Sequence, residues 1–409
     1  MALAAAGFLA CAVACCVLAA RRHDPFGDLF IYRSAGRAVL GGARLYQLRF
    51  AWQLRFTYPP FAALSFVPLA WLPWTVVAAL VMAANVAALP MTLWLALRLP
   101  PARSWLAGWP RMLPVALSLA VAAGAIWLEP VRTNLAYGQV NLLITVLILA
   151  DLALPDSSRL KGAAIGIAAG IKLTPAIFAV YLLLTRRYRA AAVSAAAAAL
   201  TVALGAVLLP GDSAAYWGSG LTSPARIGRV ENTANQSLRG ALARVLHTVS
   251  VQSPWLVAAV VVALAGMALA VLAGRRGDEA SGFARCAITG LLISPVSWSH
   301  HWVLAVPALL LGCAWAWRTR SAPALTALVA VAAAAWAAII WQVPNGGSGH
   351  PELHLHAVQL VAADAYVLAG LMVLAVAAAG ELARIWRGGP AVPGAIPVLA
   401  ARRSGAPDS

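Results

Sequence analysis

Residues 162–184 read GAAIGIAAGIKLTPAIFAVYLLL, an apolar run long enough to cross a bilayer but interrupted near its middle by Lys172 and Pro175. A lysine at mid-span costs about 2.5–3.5 kcal/mol on an insertion scale. Pro175 removes a backbone donor and disfavours helix at Thr174. A single straight helix accommodates neither residue. Two short helices whose break lines a cavity accommodate both, because non-helical backbone at membrane depth is tolerated only where protein or a cavity covers it. The stretch therefore predicts a re-entrant element inside a helical membrane protein, and an intramembrane charge is a candidate functional residue by default.

The rest of the chain agrees. Its 409 residues are 62% hydrophobic and only 11% charged, with a mean hydropathy of +0.82. Soluble globular chains carry about 25% charged residues. That gap argues against a soluble enzyme, a disordered protein and a fibrous repeat. Candidate spans are 2–20, 75–97, 111–128, 136–154, 189–209, 254–273, 283–298, 302–317, 323–342 and 358–380. Residues 59–72 are apolar too, but Pro59, Pro60, Pro68 and Pro73 make them too short and broken for a full span. The fold class is all-α and polytopic, with about 10–12 transmembrane helices. One integral-membrane domain is expected over 1–386, followed by a Gly-, Pro- and Arg-rich cytoplasmic tail, 387–409, expected to be disordered. Residues 1–20 lack a basic n-region and read as a retained first helix rather than a signal peptide. The cysteines, Cys11, Cys15, Cys16, Cys286 and Cys313, form no C-x-x-C pair, which gives neither a zinc nor a redox motif.

The few charges are lopsided: 30 Lys and Arg against 13 Asp and Glu, for a formal net charge of +17. Lysine occurs only at 161 and 172, so the excess is arginine, the residue suited to phosphate and carboxylate recognition. A GC-rich genome produces the same bias. With the N-terminus inside and 162–184 re-entrant, most later basic clusters, such as Arg98–Arg103–Arg111 and Arg186–Arg187–Arg189, fall on the cytoplasmic side. The first outside loop, 21–58, breaks the rule with Arg21, Arg22, Arg33, Arg37, Arg44, Arg49 and Arg55. Either that orientation is wrong or these arginines serve an anionic partner at the outer face. A second large outside loop spans 210–253.

Several segments carry chemistry. In DPFGDLFIYR, residues 24–33, Asp28 opens a helix with Tyr32 one turn later. Asp at a helix start is commonly a cap; the sharper reading is a general base among the few outside carboxylates, Asp24, Asp28, Glu129, Asp212, Glu231 and Glu352. SAGRAVLGGARLY then places Arg33, Arg37 and Arg44 roughly on one face of an interfacial helix, which a membrane surface alone explains. In FTYPPFAALSFVPLAWLP, residues 56–73, Tyr58 is the member with binding chemistry, and the prolines serve as helix punctuation. NLAYGQVN, residues 134–141, groups Asn134, Gln139 and Asn141 around Gly138, a set of paired donors and acceptors suited to sugar hydroxyls or to a helix end. SPVSWSHHW, residues 294–302, carries His300 and His301, of which at most one faces a given pocket; the plain alternative is an interfacial aromatic belt. ENTANQSLRGALAR, residues 231–244, is a polar outside run with Asn235, Arg239 and Arg244. HPELHLH, residues 350–356, offers an i, i+4 histidine spacing but lacks the acidic base of a metalloprotease motif.

Taken in order, GDLFIYRSAGRAVLGGARLYQ, FTYPPFAALSFVPLAWLP, NLAYGQVNLL, the 162–190 stretch, NQSLRG and LLISPVSWSHHW resemble one family. They look like the actinobacterial polyprenyl-phosphate-mannose-dependent α-mannosyltransferases, glycosyltransferase family 87 of the GT-C superfamily. The resemblance runs from about Asp28 to Trp302 and does not extend past Trp317. It implies a GT-C-like bundle in the plasma membrane with an extracytoplasmic active site. The implied partners are a polyprenyl-phosphate-mannose donor, a glycolipid or lipoglycan acceptor and membrane lipids, with no nucleic acid and no cofactor; a metal-independent reaction is the default. Carried over by position, Asp28 takes the acceptor's proton and the mannosyl group moves with inversion. Lys172, His300 or His301, and first-loop arginines such as Arg33 stabilise the departing phosphate. Tyr32, Tyr58, Gln139, Asn141, Asn235 and Arg239 bind substrate.

Two further readings remain at this point. A flippase for lipid-linked saccharides also wants discontinuous helices, although no inverted repeat is evident. An arabinosyl transferase shares the donor chemistry. A structural envelope subunit with degraded catalytic residues fits less well, given the intact Asp28. The charge map makes a direct prediction. With Cys11, Cys15, Cys16, Cys286 and Cys313 replaced, an engineered cysteine in 210–253 is labelled from outside intact cells by an impermeant thiol reagent; labelling only after permeabilisation inverts the topology.

Overall fold

The computed structural model describes residues 1–21, 26–50, 53–218 and 228–387. Arg22, Asp24, part of the 210–253 loop and the tail beyond Arg387 lie outside the described residues. The described residues are mostly helical; among them the extended pairing is one antiparallel bridge, Asn235 to Trp298. Six helices are long and apolar enough to cross a membrane alone: Ala2–Ala20, Trp74–Arg98, Tyr188–Leu208, Gln252–Arg275, Ala365–Trp386, and a 3-10 turn, Ser299–Ala305, that runs on into Val306–Arg318. The protein is an all-α, multi-pass membrane protein.

Other expected spans are shorter or bent. The 111–128 stretch becomes Leu113–Ala125, and the chain then turns by 83° into Glu129–Tyr137. The bend falls before Glu129, where Leu128 is extended as the N-cap, and Pro130 sits in the first turn of the second helix, where its missing N–H costs nothing. The span read as 136–154 begins only at Asn141 and ends at Ala153. Between them Gly138 takes a left-handed conformation, φ +65°, and closes the Glu129–Tyr137 helix.

The 162–184 stretch forms two nine-residue helices, Ala163–Ile171 and Ala176–Leu184, with Lys172 extended between them. The first packs along Tyr188–Leu208 through small residues. A Cβ on Gly166 would run into the Ser194 carbonyl, and one on Gly170 into Thr201. Close backbone approach of this kind is how helices associate where burial from water supplies no drive. Asp151 closes the other end of the hairpin, accepting backbone N–H bonds from Gly162 (2.6 Å), Ala164 (2.9 Å) and Ile165 (3.2 Å).

The first loop folds as two crossed helices, Gly27–Leu40 and Pro60–Ala70. Pro60 opens the second at its first position, where its missing N–H costs nothing. Gly36 lets the pair touch, since a Cβ there would overlap the Phe66 carbonyl. The interfacial helix expected through Arg44 is shorter than read. It stops at Leu40, a turn with Gly42 at φ +67° follows, and Arg44 precedes a separate 3-10 turn, Leu45–Gln47. Arg44 therefore does not share a helix face with Arg33 and Arg37.

On the other large loop, the fully buried Arg244 of Leu238–Val245 ties to Asp364 (Nε to Oδ1, 3.0 Å) and to the carbonyls of Glu231, Asn232 and Asn235. Removing one partner of a buried ion pair strands the other, at about 3–5 kcal/mol. Arg244→Ala is expected to lower the unfolding temperature in detergent sharply; an unchanged midpoint would mean the pair does not hold the loop to the bundle.

Candidate active site

Asp28 is the second residue of Gly27–Leu40, and the N-cap position belongs to Phe26. Its carboxylate is not the cap; Oδ2 instead accepts a 2.6 Å hydrogen bond from Gln139 Nε2. Tyr32, one turn on and so on the same face, stacks on Phe66 with ring centroids 4.5 Å apart. Its hydroxyl donates to Gln139 Oε1 at 2.7 Å and lies 2.8 Å from the Tyr58 hydroxyl. Tyr58, just before Pro59, donates to the same Oε1 at 3.2 Å, and its carbonyl accepts from the Tyr46 hydroxyl at 2.7 Å.

Gln139 owes its place to Gly138. A Cβ on that glycine would come within 2.7 Å of Leu29 Cβ, so the loop reaches the first-loop helix only with glycine there. Asn141, at the start of Asn141–Ala153, continues the chain of contacts. Its Nδ2 donates to Asn134 Oδ1 (3.1 Å), to the His300 carbonyl (3.3 Å) and to Gln139 Oε1 (3.4 Å). Its Oδ1 accepts from Lys172 Nζ at 2.7 Å. Lys172 Nζ also lies 2.8 Å from His301 Nε2 and 5.5 Å from the Tyr58 ring centroid.

The result is one continuous network from Asp28 through Gln139 and Asn141 to Lys172 and His301. A carboxylate stands at one end and an ammonium at the other, joined by neutral amides and phenols. Burial raises the Asp28 pKa above its ordinary value, while the Gln139 hydrogen bond and the Lys172 charge act against that rise. Such a carboxylate is a stronger base than a solvated one.

An apolar cavity of about 150 Å³ is lined by chain neighbours of Tyr58 and Lys172. Its walls include Pro59, Pro60, Gly170, Leu173, Thr201 and Trp217. The segments that carry Tyr58 and Lys172 thus build the cavity too, with Lys172 between wall residues Gly170 and Leu173.

Of the residues singled out in the sequence, Asp28, Tyr32, Tyr58, Gln139, Asn141, Lys172 and His301 converge. Of the two histidines, His301 meets the ammonium. His300 is buried, with its Nε2 unpartnered and its ring edge-on to Tyr137 and His301. Arg33 does not join the cluster: its guanidinium donates to the carbonyls of Leu69 (3.2 Å) and Leu72 (2.5 Å), closing the end of Pro60–Ala70. Asn235 is spent on backbone, donating to the Val230 carbonyl and accepting from Ser297 N–H. Arg239 lies over the Trp255 ring, 5.4 Å from its centroid. In the 350–356 run, His350 bonds Glu231 at 2.7 Å; no group of three His, Cys, Asp or Glu able to hold a metal occurs among the described residues.

The sequence reading passed over Asn85. It is buried in the middle of Trp74–Arg98 and accepts from Asn134 Nδ2 at 3.0 Å, bracing the amide that orients Asn141. A lone amide in an otherwise apolar span was the signal that marked it.

Comparison with known proteins places this chain in a family. The chain is 36% identical over 340 residues, 78% of its length and 77% of the relative's, to the polyprenol-phosphate-mannose-dependent alpha-(1-2)-phosphatidylinositol mannoside mannosyltransferase of Mycobacterium tuberculosis. It is 34% identical over 345 residues, 77% of its length and 74% of the relative's, to the protein of the same name from Mycolicibacterium smegmatis. It is also 37% identical over 296 residues, 70% of its length and 65% of the relative's, to the M. tuberculosis polyprenol-phosphate-mannose-dependent alpha-(1-2)-phosphatidylinositol pentamannoside mannosyltransferase. No solved structure matches the chain significantly. The glycosyltransferase family 87 pattern matches residues 56–295, which take in Tyr58, Gln139, Asn141 and Lys172. The chain belongs to glycosyltransferase family 87.

Proposed function

We propose that this protein moves a mannosyl residue from polyprenyl-phosphate-mannose to a hydroxyl of a phosphatidylinositol mannoside or a related lipoglycan, at the outer face of the plasma membrane and with inversion at the anomeric carbon. The observation that carries the reading is the unbroken network between Asp28 and Lys172. It sets a base and a cation at opposite ends of a row of neutral hydrogen-bonders, and an apolar cavity is lined by residues on either side of Lys172 in the chain, Gly170 and Leu173.

The step follows from that polarity. Asp28 accepts the proton of the acceptor hydroxyl as its oxygen attacks the anomeric carbon. The bond from that carbon to the phosphate oxygen breaks, and the polyprenyl phosphate leaves with the electron pair and one more negative charge. Lys172, with His301 beside it, neutralises that charge where it develops, which lowers the barrier more than uniform substrate binding does. The amides of Gln139 and Asn141 and the phenols of Tyr32 and Tyr58 offer donors and acceptors to sugar hydroxyls. The apolar cavity takes the first part of the isoprenoid chain. The relatives' names favour mannose over arabinose as the donor sugar, and a glycosyltransferase family favours group transfer over flipping. Lipid profiling of a deletion strain names the acceptor, as the precursor that accumulates.

Removing the base is expected to cost about 10²–10⁴ in rate. Asp28→Asn should lose transfer of radiolabelled mannose from polyprenyl-phosphate-mannose by that factor at unchanged protein level; an Asn variant that transfers normally removes Asp28 as the base.

The raised Asp28 pKa fixes the sign of the pH dependence. The base is lost on protonation, so rate falls as pH drops, with a midpoint above the ordinary aspartate value of about 3.9. An acid limb at or below that value counts against this assignment.

Lys172→Ala should raise the apparent KM for the donor more than that for the acceptor. An unchanged donor KM with intact kcat excludes Lys172 from phosphate recognition.

A further inference from the structure

Glu129 is a buried carboxylate at the start of Glu129–Tyr137, 2% exposed, and the transfer step makes no use of it. Its Oε1 accepts from Thr133 Oγ1 (2.8 Å), Ser299 Oγ (2.7 Å) and Trp341 Nε1 (2.9 Å), and its Oε2 from the Tyr366 hydroxyl (2.8 Å). All four donors are neutral, and they come from four separate stretches of chain. Two of those stretches lead straight into the candidate site. The helix that Glu129 opens ends at Gly138, one residue before Gln139. Ser299 opens the 3-10 turn that carries His300 and His301.

These two segments pack together at the start of the 3-10 turn. Ser299 donates to Glu129. The next residue, His300, accepts from Asn141 at its carbonyl and meets the Tyr137 ring edge-on with centroids 5.6 Å apart. Among the described residues Asp28 is bonded into the network through Gln139, and His301 reaches Lys172 from the second segment. Lys172 is bonded both to Asn141 of the first segment and to His301 of the second, so the spacing between the two segments sets how closely His301 meets the ammonium. We propose that Glu129 is a positioning residue for the transfer reaction: through Ser299 it sets the distance between the Gln139 segment and the His300–His301 segment, and so holds His301 against Lys172.

The inference rests on the proposed site, and the test separates the two. Glu129→Asp draws the carboxylate back by about 1.5 Å, one carbon–carbon bond. A displacement of about 1 Å remote from the reacting atoms can cost about 10²-fold. In full-length protein, Glu129→Asp and Ser299→Ala should each lower kcat at least tenfold, with donor KM within about threefold of wild type. The double variant should lose no more than the worse single one, since both act through one contact. Glu129→Gln should recover most of kcat. Its amide oxygen can accept from Thr133, Ser299 and Trp341, while its nitrogen donates to the Tyr366 oxygen.

Trp341→Phe and Tyr366→Phe remove the donors that lead away from the site. They should lower the unfolding temperature more than they lower kcat. A readout independent of transfer is the rate at which diethyl pyrocarbonate modifies His301, followed by mass spectrometry on the detergent-purified chain. That rate should change severalfold in Glu129→Asp and Ser299→Ala and stay constant in Tyr366→Phe. Unaltered kcat and unaltered modification in both Glu129→Asp and Ser299→Ala overturn the inference. So does an equal kcat loss in Trp341→Phe and Tyr366→Phe, which makes Glu129 a stability residue only. Asp28→Asn in the same assay reports on the site itself: if that variant transfers normally while the histidine reactivity still shifts, the base assignment fails and the positioning role of Glu129 stands.

Discussion

A glutamine side chain has two N–H donors and two acceptor lone pairs, and the site of this protein is organised around how Gln139 divides them. A carboxylate can only accept, so Asp28 requires the nitrogen end. The oxygen end is then left to the donors of Tyr32, Tyr58 and Asn141. One amide thus joins the first-loop helix, the Tyr58–Pro59 corner and the start of Asn141–Ala153. Break it and Asp28 loses its hydrogen-bonded link toward Lys172. The left-handed Gly138 is part of the same constraint, because only glycine lets the turn come close enough to Leu29 for Gln139 to reach Asp28.

The membrane supplies the second constraint. Backbone polar groups cannot face lipid unpaired, so each interruption of helix has to be covered by protein. The interruption at Lys172 is covered by Tyr58, Asn141 and His301, and the one at Gly138–Gln139 by the first-loop helix. The broken segments are therefore the places where polar side chains gather, and the same breaks open the apolar cavity next to them. Close approach of Ala163–Ile171 to Tyr188–Leu208 through Gly166 and Gly170 packs this region.

Particular residues show how far the sequence could be read. Lys172 with Pro175 marked the broken helix, since charge and proline each contradict a plain span. Asp28 and Tyr32 stood out through scarcity and one-turn spacing, and Gln139 and Asn141 as amides around a glycine. Arg33, Asn235 and Arg239 did not enter the cluster. A positive charge or an amide in a loop looks the same in sequence whether it binds a ligand or a backbone carbonyl, and Arg33 and Asn235 bind carbonyls. Asn85 and Glu129 were passed over for the converse reason. Their partners, Asn134 for one and Ser299, Trp341 and Tyr366 for the other, are mostly far away in sequence, and no local spacing connects them.

By itself, then, the sequence determined the all-α membrane class, the break at Lys172 and the residue types available for chemistry. These depend on composition and on local backbone sterics, which a short window contains. Tertiary structure alone decided which of two adjacent histidines meets the ammonium, which arginines are spent on helix ends, and that Asp28 and Lys172 share one network. Those outcomes depend on contacts between residues far apart in the chain, from 36 positions for Arg33 with Leu69 to 111 for Asp28 with Gln139 and 129 for Lys172 with His301. Hydrogen bonds of that reach exist only once the helices have packed.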